Sequence, residues 1–440
     1  MEEEEEKFLT ENRVCGTIDK DFCVVRRTPT MKQNHLLRRT ALMLAVCLTG
    51  TLCACGTSAD THTREEESVT METEAILSTV TVTEQTEDLG YDFVIDIPAG
   101  RDIKILQLSD LQTMEMDGVR NENRYHQIGN AFFGDNVHDQ QIQTWRYVEE
   151  AIARSNPDLI VLAGDIIYGQ TDDDGSQWLE VCEKMDSYAI PWLVIFGNHD
   201  NESAKGVLWQ IEQVRSSEYG ILKQGSVTGN SNYSVGLRQD GMFKYTLYMM
   251  DTNGCHTYPN NPGEGMMDDN PDIALITQQA GIYPDQRAWI HQTGKYIAEQ
   301  YGDVPALVFM HIPIAEAATA ARRQYKETYQ SYPFTPDLAG DTGVSYEAFV
   351  GLDTGGAFWD LAKMHGVTGM FFAHQHNIAA SIVWDGIRLS YGLKTSTHDY
   401  HLPELLGSLA ITLGEDDGAL SVDYQYTALP YQESGETVTY

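Results

Sequence analysis

The chain has 440 residues and carries 65 acidic against 29 basic side chains, which gives a formal net charge of −36. Because phosphate backbones need cationic protein surfaces, this balance argues against nucleic acid as a routine partner. Of the seven cysteines, only Cys182 and Cys255 lie beyond residue 55, so the sequence provides no disulfide framework.

The N-terminal region has the composition of a leader followed by an export signal. Residues 1–30 contain a glutamate run and no apolar segment, so we expect them to be upstream sequence from a misplaced start codon. Residues 31–54 combine basic side chains at 32–39 with an apolar run at 41–52 that is too short to span a bilayer. This layout predicts a secretory signal peptide.

The signal ends in Leu52-Cys53-Ala54-Cys55, which resembles a bacterial lipobox. That resemblance implies a lipid on Cys55 and attachment to the bacterial cell membrane, facing outside the cytoplasm. The alternative is a plain secretory signal that is cut nearby. Residues 55–91 are rich in Thr, Glu and Ser and almost lack aromatic side chains, so we expect a disordered tether that buries no core.

From residue 92 onward, short apolar runs alternate with helix-like stretches. Runs at 103–108, 158–163 and 192–196 predict strands, and stretches at 141–154 and 177–188 predict the helices between them. This order is the βαβ signature of a mostly parallel sheet, whose ligands bind beyond the carboxyl ends of the strands.

The second half adds enough strands for another sheet. Further strands are predicted at 245–250, 306–310, 367–372, 378–384, 387–391 and 408–413, and helices at 286–300 and 346–365. So many strands predict two packed sheets with helices outside them, and an α/β class of fold.

Five short segments, each at the end of a predicted strand, contain oxygen and nitrogen ligands for metals. In chain order they are Ser109-Asp110-Leu111-Gln112, Gly164-Asp165-Ile166-Ile167-Tyr168, Gly197-Asn198-His199-Asp200, Val308-Phe309-Met310-His311 and Ala373-His374-Gln375-His376. Taken singly, each segment has an ordinary structural interpretation, such as a turn, a cap or a core aromatic. Together they offer no thiolate, which favours Zn, Mn or Fe over a sulfur-rich structural zinc site. On a strand, the two histidines of the last segment would point to one face.

The five segments together resemble the calcineurin-like metallophosphoesterases and, within them, the purple-acid-phosphatase-like branch. The pattern of that branch is D-x-G, G-D-x-x-Y, G-N-H-(D/E), V-x-x-H and G-H-x-H in this order, and the resemblance runs over roughly residues 102–391. It implies a four-layer α/β/β/α sandwich within one catalytic domain at 92–440. It also implies two divalent or trivalent ions of Fe, Mn or Zn and a phosphorylated small-molecule substrate.

The resemblance assigns a role to each residue of the pattern. Asp165 would bridge both ions. Each ion would also have ligands of its own: Asp110, Tyr168 and His376 at the first site, and Asn198, His311 and His374 at the second. His199 would lie over the substrate phosphate without binding metal, and Asp200 would orient it.

Two positions depart from the family pattern. Ala373 replaces a glycine and leaves both following histidines in place. Gln112 stands where the broad family has a histidine ligand and this branch has glycine, with tyrosine supplying the missing ligand. We expect Gln112 to be a weak metal ligand or a hydrogen-bond donor beside the ligands. Further along, Lys394, His398 and His401 could touch the substrate or belong to a plain surface loop.

The expected activity is hydrolysis of phosphate esters at the cell surface, as a phosphomonoesterase. One alternative is a phosphodiesterase that acts on nucleotides or lipid headgroups. Another is a surface binding lipoprotein that keeps the fold and has lost turnover, an alternative motivated by Gln112.

Overall fold

Two β-sheets, a large one of nine strands and a small one of six, organise the part of the chain that the structure describes. The computed structural model describes residues 80–86, 90–114, 137–172, 174–203, 205–254, 280–324, 342–415 and 418–427, and two short strands at 432–433 and 436–437. The predictions for residues 1–30, for residues 31–54 and for Cys55 lie outside these ranges.

The spatial order of the strands in each sheet differs from their order along the chain. From one edge to the other, the large sheet consists of β1 (Thr81–Glu84), β2 (Phe93–Asp96), β7 (Tyr233–Gln239), β8 (Met242–Met250), β9 (Ala306–Met310), β11 (Val367–Phe372), β13 (Ile387–Tyr391), β12 (Ile378–Trp384) and β10 (Thr342–Ser345). The small sheet consists of β15 (Leu420–Tyr426), β14 (Gly407–Leu413), β3 (Ile103–Leu108), β4 (Leu159–Ala163), β5 (Trp192–Ile195) and β6 (Gly220–Ile221). A separate hairpin pairs β16 (Gln432–Glu433) with β17 (Glu436–Thr437).

Six α-helices flank the sheets in the described ranges. They are α1 (Val137–Ser155), α2 (Ser176–Ser187), α3 (Val207–Ser216), α4 (Pro284–Tyr301), α5 (Ala315–Gln324) and α6 (Ala357–Met364). Helix α1 contacts β3 and β14, and α2 and α3 contact β6, so these three cover the small sheet. Helix α5 contacts β12, α6 contacts β11, and α4 packs on α6, so these cover the large sheet.

Two hydrophobic cores separate the layers. On β9, Leu307 and Phe309 belong to the core that also contains residues of the small sheet, whereas Val308 and Met310 belong to the core beneath α4–α6. Successive side chains of a strand point to opposite faces, so the large sheet is covered on both sides. The prediction of a four-layer α/β/β/α sandwich is confirmed.

The parallel strands of the two sheets bring the predicted site residues together beyond their carboxyl ends. Strands β3, β4 and β5 are parallel neighbours in the small sheet, and β9 and β11 are parallel neighbours in the large sheet. Strand β4 is buried along its whole length, as expected for a parallel strand that is covered on both faces. The five metal-ligand segments follow the carboxyl ends of these strands.

The tether predicted at 55–91 extends too far towards the C-terminus. Strand β1 lies inside that segment and pairs antiparallel with β2, with Thr81 opposite Asp96. All four of its side chains are exposed, so the backbone ladder and the β propensity of Thr and Val hold the strand rather than core burial. Composition alone therefore missed it.

The helix predicted at 346–365 is also too long. Only Ala357–Met364 is helical, and Gly355 and Gly356 before it have φ values of 60° and 75°. These left-handed conformations stop the helix from extending backwards. Among the described residues, no helix is both long and apolar enough to cross a membrane. Cys182 is a buried free thiol.

Candidate dinuclear metal centre

Backbone hydrogen bonds tie the five predicted segments together beyond the strand ends. The amide of Gln112 donates to the carbonyl of Asp165 over 2.8 Å, which joins the first segment to the second. The amide of Gly169 donates to His199 O over 3.2 Å, and that of Ala373 donates to His311 O over 2.9 Å. The positions of the ligand residues relative to one another are therefore set by the main chain.

Two clusters of potential ligand atoms form where the segments meet. One contains Asp165, His311 and His374, and the other contains Asp110, Asp165 and His376. Within each cluster the ligand atoms all lie within 4.8 Å of one another. Because Asp165 belongs to both clusters, the geometry is that of two neighbouring metal sites with one shared carboxylate, which matches the donor set that Fe, Mn and Zn use.

Two of the histidines present a defined nitrogen to these clusters. His311 Nδ1 lies 2.9 Å from Ala163 O, and His376 Nδ1 lies 2.9 Å from Tyr400 O. A carbonyl oxygen can only accept, so each Nδ1 carries a proton, and Nε2 is the nitrogen that each ring presents to the clusters. His311 Nε2 then lies 3.2 Å from Asp165 Oδ2, and His376 Nε2 lies 3.4 Å from Asp110 Oδ1.

Buried polar atoms at the centre fit the presence of metal. Apart from the two carboxylate–imidazole contacts just given, the buried atoms Asp110 Oδ1, Asn198 Oδ1 and His311 Nε2 have no hydrogen-bond partner in the described part of the chain. Buried polar atoms almost always have a partner, so these three atoms of the predicted ligand set need one that the described residues do not supply. Metal ions supply that partner, and the residues present therefore fit two ions.

The main chain is strained where it carries the ligands. Asp110, Gln112, Asp165 and His374 have φ values of 52°, 42°, 48° and 70°, in the left-handed region that non-glycine residues seldom adopt. Each such residue costs on the order of 1–3 kcal/mol and persists only where its surroundings hold it. In this chain the strain coincides with four of the predicted metal-binding residues.

Two glycines are required by the closeness of the segments. A Cβ on Gly197 would lie 2.2 Å from Asp165 Oδ1 and 2.3 Å from the Asp165 amide. A Cβ on Gly164 would lie 2.5 Å from His311 Nδ1. The glycines of the second and third segments therefore let the shared carboxylate and one imidazole approach the neighbouring main chain.

Burial and neighbouring charges together shift the pKa values of the ionisable groups at the centre. Burial alone would raise the pKa of Asp110, but His376, His311 and Lys394 hold it below its ordinary value. Burial alone would lower the pKa of His311, but Asp165 raises it to about 9. For His374, burial and the neighbouring His311 lower the pKa to about 3, so this imidazole is neutral and able to bind a cation.

The partner of His199 differs from the prediction. His199 Nδ1 lies 2.9 Å from Glu202 Oε2 and not beside Asp200. Asp200 instead accepts backbone hydrogen bonds from Ile166, Ile167 and Gly197 over 2.7–3.0 Å. The prediction that Asp200 orients His199 is therefore wrong, because the carboxylate is taken up by three main-chain donors.

Glu202 takes the role that was predicted for Asp200. Its side chain is fully buried, and it lies on the short 3₁₀ turn that follows His199. Burial would lower the pKa of His199, but the carboxylates of Glu202 and Asp165 raise it to about 9. The sequence signal for Glu202 is its position three residues after His199, which brings both side chains to one side of a tight turn.

The two histidines of the last segment do not share a strand face. Strand β11 ends at Phe372, and His374 and His376 lie in the connection to β12. The left-handed φ of His374 turns the chain between them, so each histidine joins a different cluster. The prediction of a common strand face is wrong, although both residues reach the centre.

Tyr168 and Gln112 lie at the centre with other contacts. The ring of Tyr168 stacks on His199 with 4.4 Å between ring centroids, and its role as a metal ligand stays a prediction. The Oε1 atom of Gln112 accepts a hydrogen bond from Lys394 Nζ over 2.5 Å. Lys394 is fully buried, so it is neither part of a surface loop nor an exposed contact for substrate.

The loop at 394–401 contacts two residues of the first cluster. Ser396 Oγ donates to Asp110 O over 3.1 Å, and the ring of Tyr400 stacks on His376 at 4.1 Å between centroids. His398 is buried, and His401 Nδ1 lies 2.9 Å from Asp399 O. This loop therefore helps to fix the positions of Asp110 and His376.

Comparisons with known proteins identify the family of the chain and agree with the fold. The chain belongs to the calcineurin-like phosphoesterase family, whose model matches residues 103–377. It is similar to the probable inactive purple acid phosphatase 14 of Arabidopsis thaliana, with 26% identity over 324 residues that cover 68% of this chain and 71% of that protein. The probable inactive purple acid phosphatase 28 of the same plant is 23% identical over 269 residues, covering 60% of this chain and 64% of that protein.

A solved structure is also similar at a lower level. A dimetal phosphatase from Danio rerio is 11% identical, and the match covers 74% of this chain and all of that chain with a TM-score of 0.41.

Proposed function

We propose that this chain is a phosphomonoesterase that hydrolyses phosphate esters with two metal ions held by the clusters around Asp165. The observation that carries the proposal is the pair of clusters that share this carboxylate, to which the main chain of His199 is hydrogen-bonded. The main-chain amide of His199 donates to Asp165 Oδ1 over 2.8 Å, so the main chain of His199 is anchored directly beside the shared ligand.

The residues of the centre fit phosphoryl transfer. When bound, the ions would act as Lewis acids on the oxygens of an in-line displacement. His199, held at Nδ1 by Glu202, would donate a proton or a hydrogen bond from Nε2 to a phosphoryl or leaving oxygen. The carboxylates of Glu202 and Asp165 raise the pKa of this imidazole, which favours the protonated form that such a donor requires.

We infer further that the enzyme is exported and anchored by a lipid on Cys55 at the outer face of a bacterial cell membrane. The support is the sequence alone: basic residues, a short apolar run and the lipobox-like Leu52-Cys53-Ala54-Cys55. A chain anchored in this way would act on phosphorylated small molecules outside the cytoplasm.

The proposal is tested by turnover and metal content together. The purified chain, loaded with Mn, Zn or Fe, is assayed on a generic aryl phosphate and on a bis-aryl phosphate, and bound metal is measured by elemental analysis. Asp165→Asn should lower activity by several orders of magnitude and reduce bound metal at both sites. The matched control is Asp240→Asn, which alters an exposed carboxylate at the β7–β8 turn and should change neither.

Each alternative function gives its own result in this assay. Faster turnover of the bis-aryl phosphate would replace the phosphomonoesterase with a phosphodiesterase. A wild-type chain that binds two metals and hydrolyses neither substrate would be a binding protein without turnover; the two Arabidopsis relatives are themselves named probable inactive phosphatases. Wild-type turnover in Asp165→Asn would overturn the dinuclear site itself.

A further inference from the structure

Lys394 places a fully buried cation against the first cluster. It follows β13, and its main chain bridges Ser109 at the end of β3 and Leu406 before β14. Its Nζ donates to the carbonyl of Asp110 over 2.8 Å and to Gln112 Oε1 over 2.5 Å. A buried ammonium is costly unless it is paired, so these contacts fix both partners firmly.

The contact with Lys394 determines which way the Gln112 amide points. An ammonium has donors only, so the atom that it meets must be the amide oxygen and not the nitrogen. Gln112 Nε2 is then the other end of a fully buried amide, and it has no hydrogen-bond partner within the described ranges. A buried donor of this kind needs an acceptor that the described residues do not supply.

The main chain of Gln112 lies beside the shared ligand. The main-chain amide of Gln112 donates to Asp165 O over 2.8 Å, and Gln112 itself has a left-handed φ of 42°. The side chain therefore starts directly next to Asp165, between the first and second segments. An oxyanion bound across the two clusters would be a suitable hydrogen-bond acceptor for Gln112 Nε2.

We propose that Gln112 is not a metal ligand but a hydrogen-bond donor to a phosphoryl oxygen of the substrate, held in that orientation by Lys394. This inference rests on the proposed function. Lys394 is a positioning residue: its charge occupies the amide oxygen and turns the Nε2 donor away from itself. A neutral N–H donor to a charged oxygen forms one of the stronger hydrogen bonds in a buried site.

The charge of Lys394 also argues against metal binding by Gln112. The amide oxygen already faces one cation, and a second cation on the same oxygen would be repelled at short range in a low-dielectric site. Asp110, Asp165 and His376 form a cluster without Gln112. Within the first segment, Asp110 would therefore bind metal, and Gln112, oriented by Lys394, would bind the anion.

The test measures metal content and the binding of inorganic phosphate in the full chain. Gln112→Ala and Gln112→Glu should both keep the wild-type number of metals, because neither change removes a ligand. Both should weaken phosphate binding about tenfold, since Ala lacks the donor and Glu replaces it with a carboxylate oxygen. Gln141→Ala is the control, because it removes a buried amide on α1 that donates to Gln177 and Glu180, and it should change neither quantity.

Lys394→Met tests the positioning role. It should weaken phosphate binding to a similar degree, and the double variant with Gln112→Ala should be no weaker than either single variant, because the two residues act as one unit. Metal affinity of Lys394→Met should be unchanged or higher, which a merely structural loss would not produce. If this variant does not fold, the two Gln112 variants still decide the question.

Two outcomes would overturn the inference. Loss of about one metal per chain in Gln112→Ala would make Gln112 a ligand, and unchanged phosphate affinity in both Gln112 variants would leave the pair with a structural role only. A wild-type chain that binds neither metal nor phosphate would instead refute the proposed function, so the two failures are distinguishable.

Discussion

At the scale of single residues, two acidic side chains two positions apart have different tasks. Glu202 contacts the His199 ring, whereas Asp200 accepts three main-chain hydrogen bonds from the second and third segments. The motif around His199 predicted an orienting carboxylate but placed it at the wrong position. Only the 3₁₀ turn, which a sequence pattern specifies poorly, decides which carboxylate reaches the ring.

Variants at these two positions should therefore fail in different ways. Glu202→Gln should lower kcat roughly 10- to 100-fold with unchanged metal content and melting temperature, because His199 loses its charged orienting partner. Asp200→Asn should lower the free energy of unfolding by about 1–3 kcal/mol and reduce bound metal, because one main-chain donor loses its acceptor. Steady-state kinetics, elemental analysis and thermal unfolding distinguish the two. The opposite pattern would restore Asp200 as the orienting residue.

The role of Tyr168 depends on whether its hydroxyl or its ring matters. Tyr168→Phe keeps the ring that stacks on His199 and removes only the hydroxyl. If the hydroxyl binds the first ion, this variant should lose metal at that site, and the iron-loaded protein should lose any visible charge-transfer band. Gln112→Ala should lose less metal than Tyr168→Phe. Should the order be reversed, Gln112 is the ligand, and Gln112→His should then strengthen binding because imidazole is the better ligand.

At the scale of elements, apolar runs predicted the strands that carry the ligands. Strands β4, β5 and β9 are buried along their whole length, so their sequences are continuous apolar runs that stand out from the loops. Strand β7 was missed although Tyr233, Val235 and Leu237 alternate with residues that point to the other face. This alternation is a period-two signal that a search for apolar runs overlooks.

The close approach of two strand-end segments gives a prediction at this scale. Gly197→Ala would place a Cβ against Asp165 Oδ1, so we expect the shared carboxylate to shift, bound metal to fall and stability to drop by about 1–3 kcal/mol. Gly281→Ala is the matched control, since its Cβ would come no closer than 3.4 Å to the Tyr283 ring. Metal content and chemical denaturation measure both variants. Wild-type metal binding in Gly197→Ala would contradict the packing argument.

At the scale of the whole molecule, the site depends on contacts that no local pattern contains. Lys394 and Gln112 are 282 positions apart in the sequence, and they meet because β14 and β3 are neighbours in the small sheet. Sequence motifs locate the ligands, since each motif is confined to four or five residues at a strand end. They do not locate Lys394, whose place depends on the order of strands in both sheets.

The location of the enzyme is a property of the complete chain and is tested at Cys55, which lies outside the described residues. If Cys55 carries the lipid, Cys55→Ala expressed in a bacterial host should leave the membrane fraction and appear as unprocessed precursor or as a soluble secreted product. Cys53→Ala is the matched control, because it alters the other cysteine of the lipobox-like segment and should keep the protein in the membrane fraction. Fractionation, gel mobility and labelling with a radioactive fatty acid measure the outcome.

A single acyl chain gives only marginal membrane binding, so stable retention of the wild type implies more than one chain on the modified terminus. Unchanged membrane association and mobility of Cys55→Ala would refute the lipid anchor, whereas secretion of the wild type itself would point to a plain signal peptide.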